Sequence, residues 1–66
     1  MRVGDRVKIN STKSNFDNVL GTIKEIEENL MFRNLVEFDA TVRVYGIPYK
    51  KMVFSDDELE LISEGS

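Results

Sequence analysis

The side chains best able to do chemistry in this chain are its carboxylates, because it contains neither histidine nor cysteine. Without histidine the commonest general base is missing, and without cysteine there is no thiolate nucleophile, disulfide or thiolate zinc site. No lysine lies in a segment that predicts burial, which it would need in order to take the proton of a serine nucleophile. Glu25 and Glu27 fall on one face of a predicted strand, which is typical of a solvated surface. We therefore expect a non-enzymatic protein without a cofactor.

The largest group of carboxylates lies in residues 55–66, which hold five acidic residues and no basic one. Ser55-Asp56-Asp57-Glu58 has the spacing of a capping box, in which the serine and the glutamate satisfy backbone N–H groups at the start of a helical turn. Glu60 alternates with apolar neighbours, as an outward-facing strand residue does. No Asp-x-Asp-x-Asp-Gly loop supplies the convergent oxygens of a calcium site. These acids are therefore predicted to be structural, and no metal is expected.

The candidate binding surface interleaves cations with aromatic rings around the turn at 46–48. Such a mixture suits either an acidic protein surface or stacked single-stranded bases. The alternative is purely structural, because lysines also protect exposed strand edges and tyrosines commonly cap small cores. The predicted partner-binding residues are Phe16, Arg43, Tyr45, Tyr49, Lys50 and Lys51.

Alternation of apolar and polar residues predicts the strands that would carry these side chains. The first strand spans about 5–10, and turn-forming residues follow at 11–18. Phe16 is the one large apolar residue of that loop, and it either tucks under the loop or stands exposed. A second strand at 21–27 requires a bulge between Ile23 and Ile26, although the same spacing also fits a short helix.

Three further segments complete the predicted pattern. A third strand spans 32–39, and the β-branched and aromatic residues of 41–54 form a long excursion or hairpin that returns as a strand from Tyr49 to Phe54. The helical (3-10) turn at 56–58 is followed by a last strand, 59–62. Five short strands with this turn before the last predict an all-β, SH3-like, partly open barrel.

The predicted barrel is a single domain over residues 1–62, with a frayed tail at 63–66. Its core should contain apolar residues from every strand, although which of Val53 and Phe54 points inward stays open. The expected core residues are Val7, Ile9, Ile23, Ile26, Val36, Phe38, Val53, Phe54, Leu59 and Leu61.

Several short motifs resemble the photosystem I reaction-centre subunit IV family (PsaE), whose members are small SH3-like barrels. Asn18-Val19-Leu20-Gly21-Thr22-Ile23 is similar to that family's Asn-x-Val-Gly-Thr-Val, with one extra residue. Val36-Glu37-Phe38-Asp39 resembles its Val-Arg-Phe-Asp, and the run from Phe54 to Leu59 resembles its closing Phe-Ala-x-x-Glu-Leu. The resemblance implies a docking subunit that helps an electron-transfer complex hold ferredoxin, with no cofactor of its own.

Two other classes of protein stay open. The start Val3-Gly4-Asp5-Arg6-Val7-Lys8-Ile9 is also typical of a KOW-type nucleic-acid-binding module, although the net charge of −3 favours a protein partner over nucleic acid. A phage or plasmid-encoded SH3-like protein of unrelated role is the third possibility. Its apolar runs are too short to span a bilayer, so we expect a cytoplasmic protein. The exposed turn at Leu30-Met31-Phe32 leaves a symmetric dimer or a larger complex open.

Overall fold

The chain forms one antiparallel sheet of five strands in the spatial order β4-β3-β2-β1-β5. The computed structural model describes residues 1–65. Its strands are β1 (Arg6–Ile9), β2 (Leu20–Ile26), β3 (Asn34–Val44), β4 (Ile47–Phe54) and β5 (Leu59–Ser63), with a 3-10 turn at Asp56–Glu58 between β4 and β5. The two edge strands, β4 and β5, are joined by that turn, so the sheet curls into a small, partly open, SH3-like barrel. The predicted fold class is confirmed.

The core lies on the concave side of the sheet, where alternate residues of the strands point inward. Val7, Ile9, Ile23 and Val36 are completely buried, and Phe38, Phe54 and Leu59 are nearly so. Ile26 is only partly buried against this cluster. Of the two residues at the end of β4, Phe54 points inward.

Two of the predicted core residues are at the surface. Val53 is paired with Leu35 on the outer face of the sheet, and 46% of it is exposed. Leu61 faces the same side as Val7 but lies on the edge strand, where no further strand covers it, and 45% of it is exposed. The prediction that both residues belong to the core was wrong, because Val53 points away from the face that holds Phe54 and Leu61 lies at the uncovered margin of the sheet.

The bulge predicted in β2 is present. Ile23 pairs with Val36, whereas Glu25 pairs with Leu35, so Lys24 is the extra residue. Gly21 stands just before it, where β2 and β3 approach closely. A Cβ atom at this position would lie 2.6 Å from the Glu37 carbonyl oxygen. The glycine is therefore required by the packing of the two strands.

A larger irregularity separates β3 into two parts. Glu37 pairs with Lys51 and Val42 pairs with Tyr49, so four residues of β3 lie opposite Lys50 alone. The strand bends at this point, and β3 continues to Val44 after its pairing with β2 has ended. The third strand was predicted to end at residue 39, but it ends at Val44, five residues further along the chain.

The two ends of the chain meet beside β1. The Asp5 carboxylate accepts hydrogen bonds from the backbone N–H groups of Arg2 and Gly65, each 2.8 Å long. These bonds lower the pKa of Asp5, the Gly65 bond most. Ser63, the first residue of the predicted frayed tail, is the last residue of β5. Ser66, the last residue of that tail, lies outside the described residues. Within residues 1–65, no helix is long and apolar enough to cross a membrane.

Candidate functional site

The β3–β4 hairpin ends in an arm, residues 42–49, that extends beyond Leu20, the first residue of β2. Val44 pairs with Ile47 across a two-residue turn, Tyr45-Gly46. Both turn residues have positive φ, 51° for Tyr45 and 79° for Gly46. This is the conformation of a type I′ turn, whose twist matches that of the strands it joins. The hairpin arm is thus a regular two-stranded ribbon with a tight tip.

Tyr45 stands at this tip with 93% of its surface exposed. The neighbouring Ile47 is 55% exposed. A non-glycine residue in the left-handed region costs roughly 1 kcal/mol, and Asn or Asp tolerates it better than a tyrosine does. The ring therefore adds nothing to the core, and its backbone conformation is unfavourable.

The predicted cations do not share one environment. Arg43 is exposed beside the tip, where its guanidinium donates a hydrogen bond of 3.3 Å to the Gly46 carbonyl oxygen. Lys51 lies directly opposite Glu37 on the outer face, in a cross-strand pair of opposite charge. Lys50 is exposed on the edge strand β4, opposite the irregularity in β3. Of the three, Arg43 lies nearest Tyr45 in the hairpin register.

The two remaining predicted residues form part of the core. Phe16 is only 8% exposed, so of its two expected placements it takes the one under the loop. Its ring stacks on Phe38 with a centroid distance of 5.1 Å and meets the rings of Tyr49 and Phe54 edge to face at 5.4 and 6.0 Å. Tyr49 is half-buried by this contact. The cluster fixes the base of the hairpin arm on the body of the domain.

A second surface, which the sequence did not predict, is a groove of about 450 Å³ on the outer face of β2, β3 and β4. We call it the outer groove. Leu35 and Val53 face each other across β3 and β4 at its floor, because their parity is opposite to that of the buried Val36 and Phe54. The apolar lining residues are Val3, Ile26, Leu30, Phe32, Leu35 and Val53. The sequence signal for this groove was a second set of apolar residues, Leu35 and Val53, next to the core residues of β3 and β4.

The rim of the outer groove carries both charges. Lys24 and Glu25 come from the last residues of β2, Glu27 directly follows that strand, and Arg33 precedes β3. The Arg33 guanidinium lies 3.8 Å from carboxylate oxygens of both Glu28 and Asp56. The groove is therefore apolar at its centre, and its margin carries charges of both signs.

The acidic residues near the C-terminus mostly serve the turn before β5. The Glu58 carboxylate accepts a hydrogen bond of 3.0 Å from the Ser55 backbone N–H, which is the reciprocal bond of the predicted capping box. The Ser55 hydroxyl donates to Asp57 at 2.6 Å and thereby lowers the pKa of that carboxyl group. Asp56 accepts a hydrogen bond of 2.7 Å from the buried Asn34 side chain. Asp56, Asp57 and Glu58 thus have structural contacts.

One further carboxylate forms a close ion pair on the outer face. The Arg6 guanidinium donates two hydrogen bonds to the two oxygens of Asp39, at 2.6 and 2.5 Å. This bidentate contact lowers the pKa of Asp39. Both side chains are partly exposed, so the pair orders the outer face more than it stabilises the fold. Among residues 1–65 no three acidic side chains converge in an arrangement that could hold a metal ion.

No protein-family model matches the chain, and comparison with curated proteins gives no match.

Proposed function

We propose that this protein is a non-enzymatic, cytoplasmic protein-binding module that uses its hairpin arm to dock an acidic surface of a partner protein. The observation that supports this most is the placement of Tyr45. Its ring is 93% exposed at the tip of the arm, on a backbone with φ of 51°. A large aromatic ring held in solvent at a conformational cost is better explained by a contact with another molecule than by folding.

Tyrosine suits this role for physical reasons. It is enriched among the residues that dominate the binding energy of interfaces, because its ring buries much apolar area while few rotatable bonds are immobilised. Ile47 adds exposed apolar surface on the adjoining strand, and the Arg43 guanidinium is held beside the tip by its bond to the Gly46 carbonyl oxygen. Because Ile47 pairs with Val44 and Arg43 pairs with Pro48, these two side chains lie on opposite faces of the ribbon, one on each side of the tip that carries Tyr45.

The charge of this region favours an acidic partner. Residues 40–55 contain three basic residues and no acidic one, so they carry +3 in a chain whose net charge is −3. The rest of the chain therefore carries −6. Complementary charge accelerates encounter and orients the partners, whereas it adds less to affinity. An acidic surface would be attracted by Arg43 in the arm and by Lys50 directly after it, whereas Lys51 already faces Glu37, and it would be repelled by the acidic remainder of the chain.

A specific form of this proposal follows from the resemblance to photosystem I reaction-centre subunit IV. In that form the protein is an accessory subunit that positions an acidic electron-transfer partner. A nucleic-acid partner is the weaker alternative. Single-stranded bases bind best to several exposed rings, and the ring of Tyr49 already packs against Phe16, which leaves Tyr45 alone at the arm.

The proposal is tested by affinity capture from lysate of the source cells, using the unaltered protein and three variants. The variant Tyr45→Asn removes the ring and places a residue that tolerates positive φ, so the melting temperature should stay the same or rise. Arg43→Ala removes the cation next to the ring. Ile62→Asn is the matched control, because Ile62 is an exposed apolar residue of β5, outside the arm.

We expect the unaltered protein and the control to recover the same partner after nuclease treatment. Tyr45→Asn should lose at least tenfold of that recovery, and Arg43→Ala should weaken it more at low salt than at high salt. Recovery that Tyr45→Asn leaves unchanged would refute the arm as the binding site. Direct binding to a labelled oligothymidylate, with steep salt dependence, would favour the KOW-type alternative.

A further inference from the structure

The outer groove and the turn beside it leave a continuous set of large apolar side chains in solvent. Leu30, Met31 and Phe32 on the turn are 55%, 75% and 51% exposed. Val3 and Val53, which line the groove, are 58% and 46% exposed. Adjoining exposed apolar residues with a polar margin are characteristic of a protein interface. This surface has no role in the proposed docking by the hairpin arm.

We propose that the outer groove binds the outer groove of a second copy of this chain, forming a symmetric dimer. A twofold contact requires one surface to carry both a projection and a depression, because each copy presents the same patch to the other. The outer groove satisfies this requirement. Met31 projects from the turn, and the depression of about 450 Å³ lies next to it, with Leu35 and Val53 at its floor.

The distribution of charge also favours a second copy over a differently charged partner. Two molecules that each carry −3 repel one another across most of their surfaces. The rim of the outer groove carries charges of both signs, Lys24 next to Glu25 and Glu27, so each copy can set its Lys24 against a glutamate of the other. An apolar patch with charges of both signs at its rim is where two copies of an acidic chain can meet at the lowest electrostatic cost.

The twofold axis determines which charges face each other. If residues 24–27 of the two copies lie antiparallel across the axis, Lys24 of each copy stands opposite Glu27 of the other. Arg33 is held near Glu28 and Asp56 of its own chain, so Lys24 is the cation that supplies the contact between copies.

The proposed dimer leaves the hairpin arms accessible. Leu35, on the floor of the outer groove, and Arg43, in the arm, pair with Val53 and Pro48 of β4, which are five residues apart, or roughly 16 Å along that strand. Two arms on one particle could engage two sites of a partner assembly, which raises the overall affinity without any new contact.

Sedimentation equilibrium of the purified protein tests the proposal, since it needs no partner and is independent of the docking function. We expect the mean mass to rise towards twice that of the chain between low micromolar and near-millimolar concentration. Met31→Glu places a charge on the most exposed residue of the turn and should abolish this rise. Ile62→Glu, a matched change at an exposed apolar residue of β5, should leave it unchanged.

A charge-reversal pair tests the orientation. Lys24→Glu and Glu27→Lys should each associate at least tenfold more weakly than the parent, because each creates two like-charged contacts across the axis. An equimolar mixture of the two variants should regain association, since every reversed charge then faces an opposite one.

Three results on association, and one that combines stability with association, would overturn the proposal. One is a monomeric mass for the parent protein at all concentrations. Another is equal loss of association in Met31→Glu and Ile62→Glu, and the third is failure of the mixed variants to associate better than each variant alone. Circular dichroism at the lowest concentration should show the same melting temperature for Met31→Glu as for the parent. A lower melting temperature, together with a loss of association that Lys24→Glu does not share, would also count against the proposed interface.

Discussion

Replacement of Phe16 by leucine tests whether the loop between β1 and β2 belongs to the core. Phe16 is 8% exposed and contacts three rings, those of Phe38, Tyr49 and Phe54, with centroid distances between 5.1 and 6.0 Å. Leucine would keep most of the buried apolar area but would lose every aromatic contact. The change therefore separates the geometry of the cluster from simple burial.

The magnitude follows from these contacts. Aromatic pairs contribute about 0.5–1.5 kcal/mol each beyond burial, and the three pairs here are neither independent nor all of ideal geometry. Allowing for repacking, Phe16→Leu should lower the free energy of unfolding by about 1–2 kcal/mol. Phe16→Ala adds a cavity and should cost about 3–5 kcal/mol. A domain of this size has roughly 3–10 kcal/mol in total, so the alanine variant should lose at least about a third of its stability.

Urea denaturation followed by circular dichroism measures this difference. The leucine variant should unfold at a lower urea concentration with an unchanged dependence on urea, and its melting temperature should fall by about 5–15 °C. Tyr45→Leu is the matched control, because it exchanges the same classes of side chain at a residue that is 93% exposed. The assignment of Phe16 to the core would be refuted if both variants had the stability of the parent, or if the two lost stability equally.

Two further predictions concern the hydrogen bonds of Asp5 and of Ser55. Asp5→Asn should lower the melting temperature at neutral pH, and the difference should shrink below about pH 4, because the folded protein holds the pKa of Asp5 below its ordinary value near 3.8 and loses that contribution as the pH falls through the lowered pKa. A difference that persists undiminished in acid would show that the charge of Asp5 is not what matters. Ser55→Ala should cost about 1 kcal/mol in urea denaturation by removing the serine hydroxyl from the turn before β5, and an unchanged urea midpoint would contradict that role.

The sequence predicted the features of this fold that depend on local chemistry. Alternation in 5–10 and the closing run from Leu59 placed β1 and β5, and the spacing of Ser55 and Glu58 placed the turn between β4 and β5. The bulge near Lys24 followed from the change of apolar parity between Ile23 and Ile26. Each of these signals lies within a few residues of the feature it specifies, so no knowledge of the rest of the fold was needed.

The features that sequence analysis missed depend on contacts distant in the chain. The continuation of β3 to Val44 and the outward direction of Val53 are set by the pairing of β3 with β4, and the exposure of Leu61 is set by its place on an edge strand. The outer groove requires Val3, Leu35 and Val53 to meet from three separate segments. By contrast, the hairpin arm was visible as a composition of cations and rings, although only the structure separates the exposed Tyr45 from the half-buried Tyr49.

The meeting of Asp5 with Gly65 has a consequence for how the fold is completed during synthesis. These residues are 60 positions apart, and β1 likewise receives one of its two neighbours from the far end of the chain. Contacts of such high sequence separation form only after the entropy of closing a long loop has been overcome. A ribosome that has released only the first four strands would therefore expose one side of β1, together with Ile9, which Leu59 later faces. The domain should become resistant to proteolysis in a single late step, when β5 emerges.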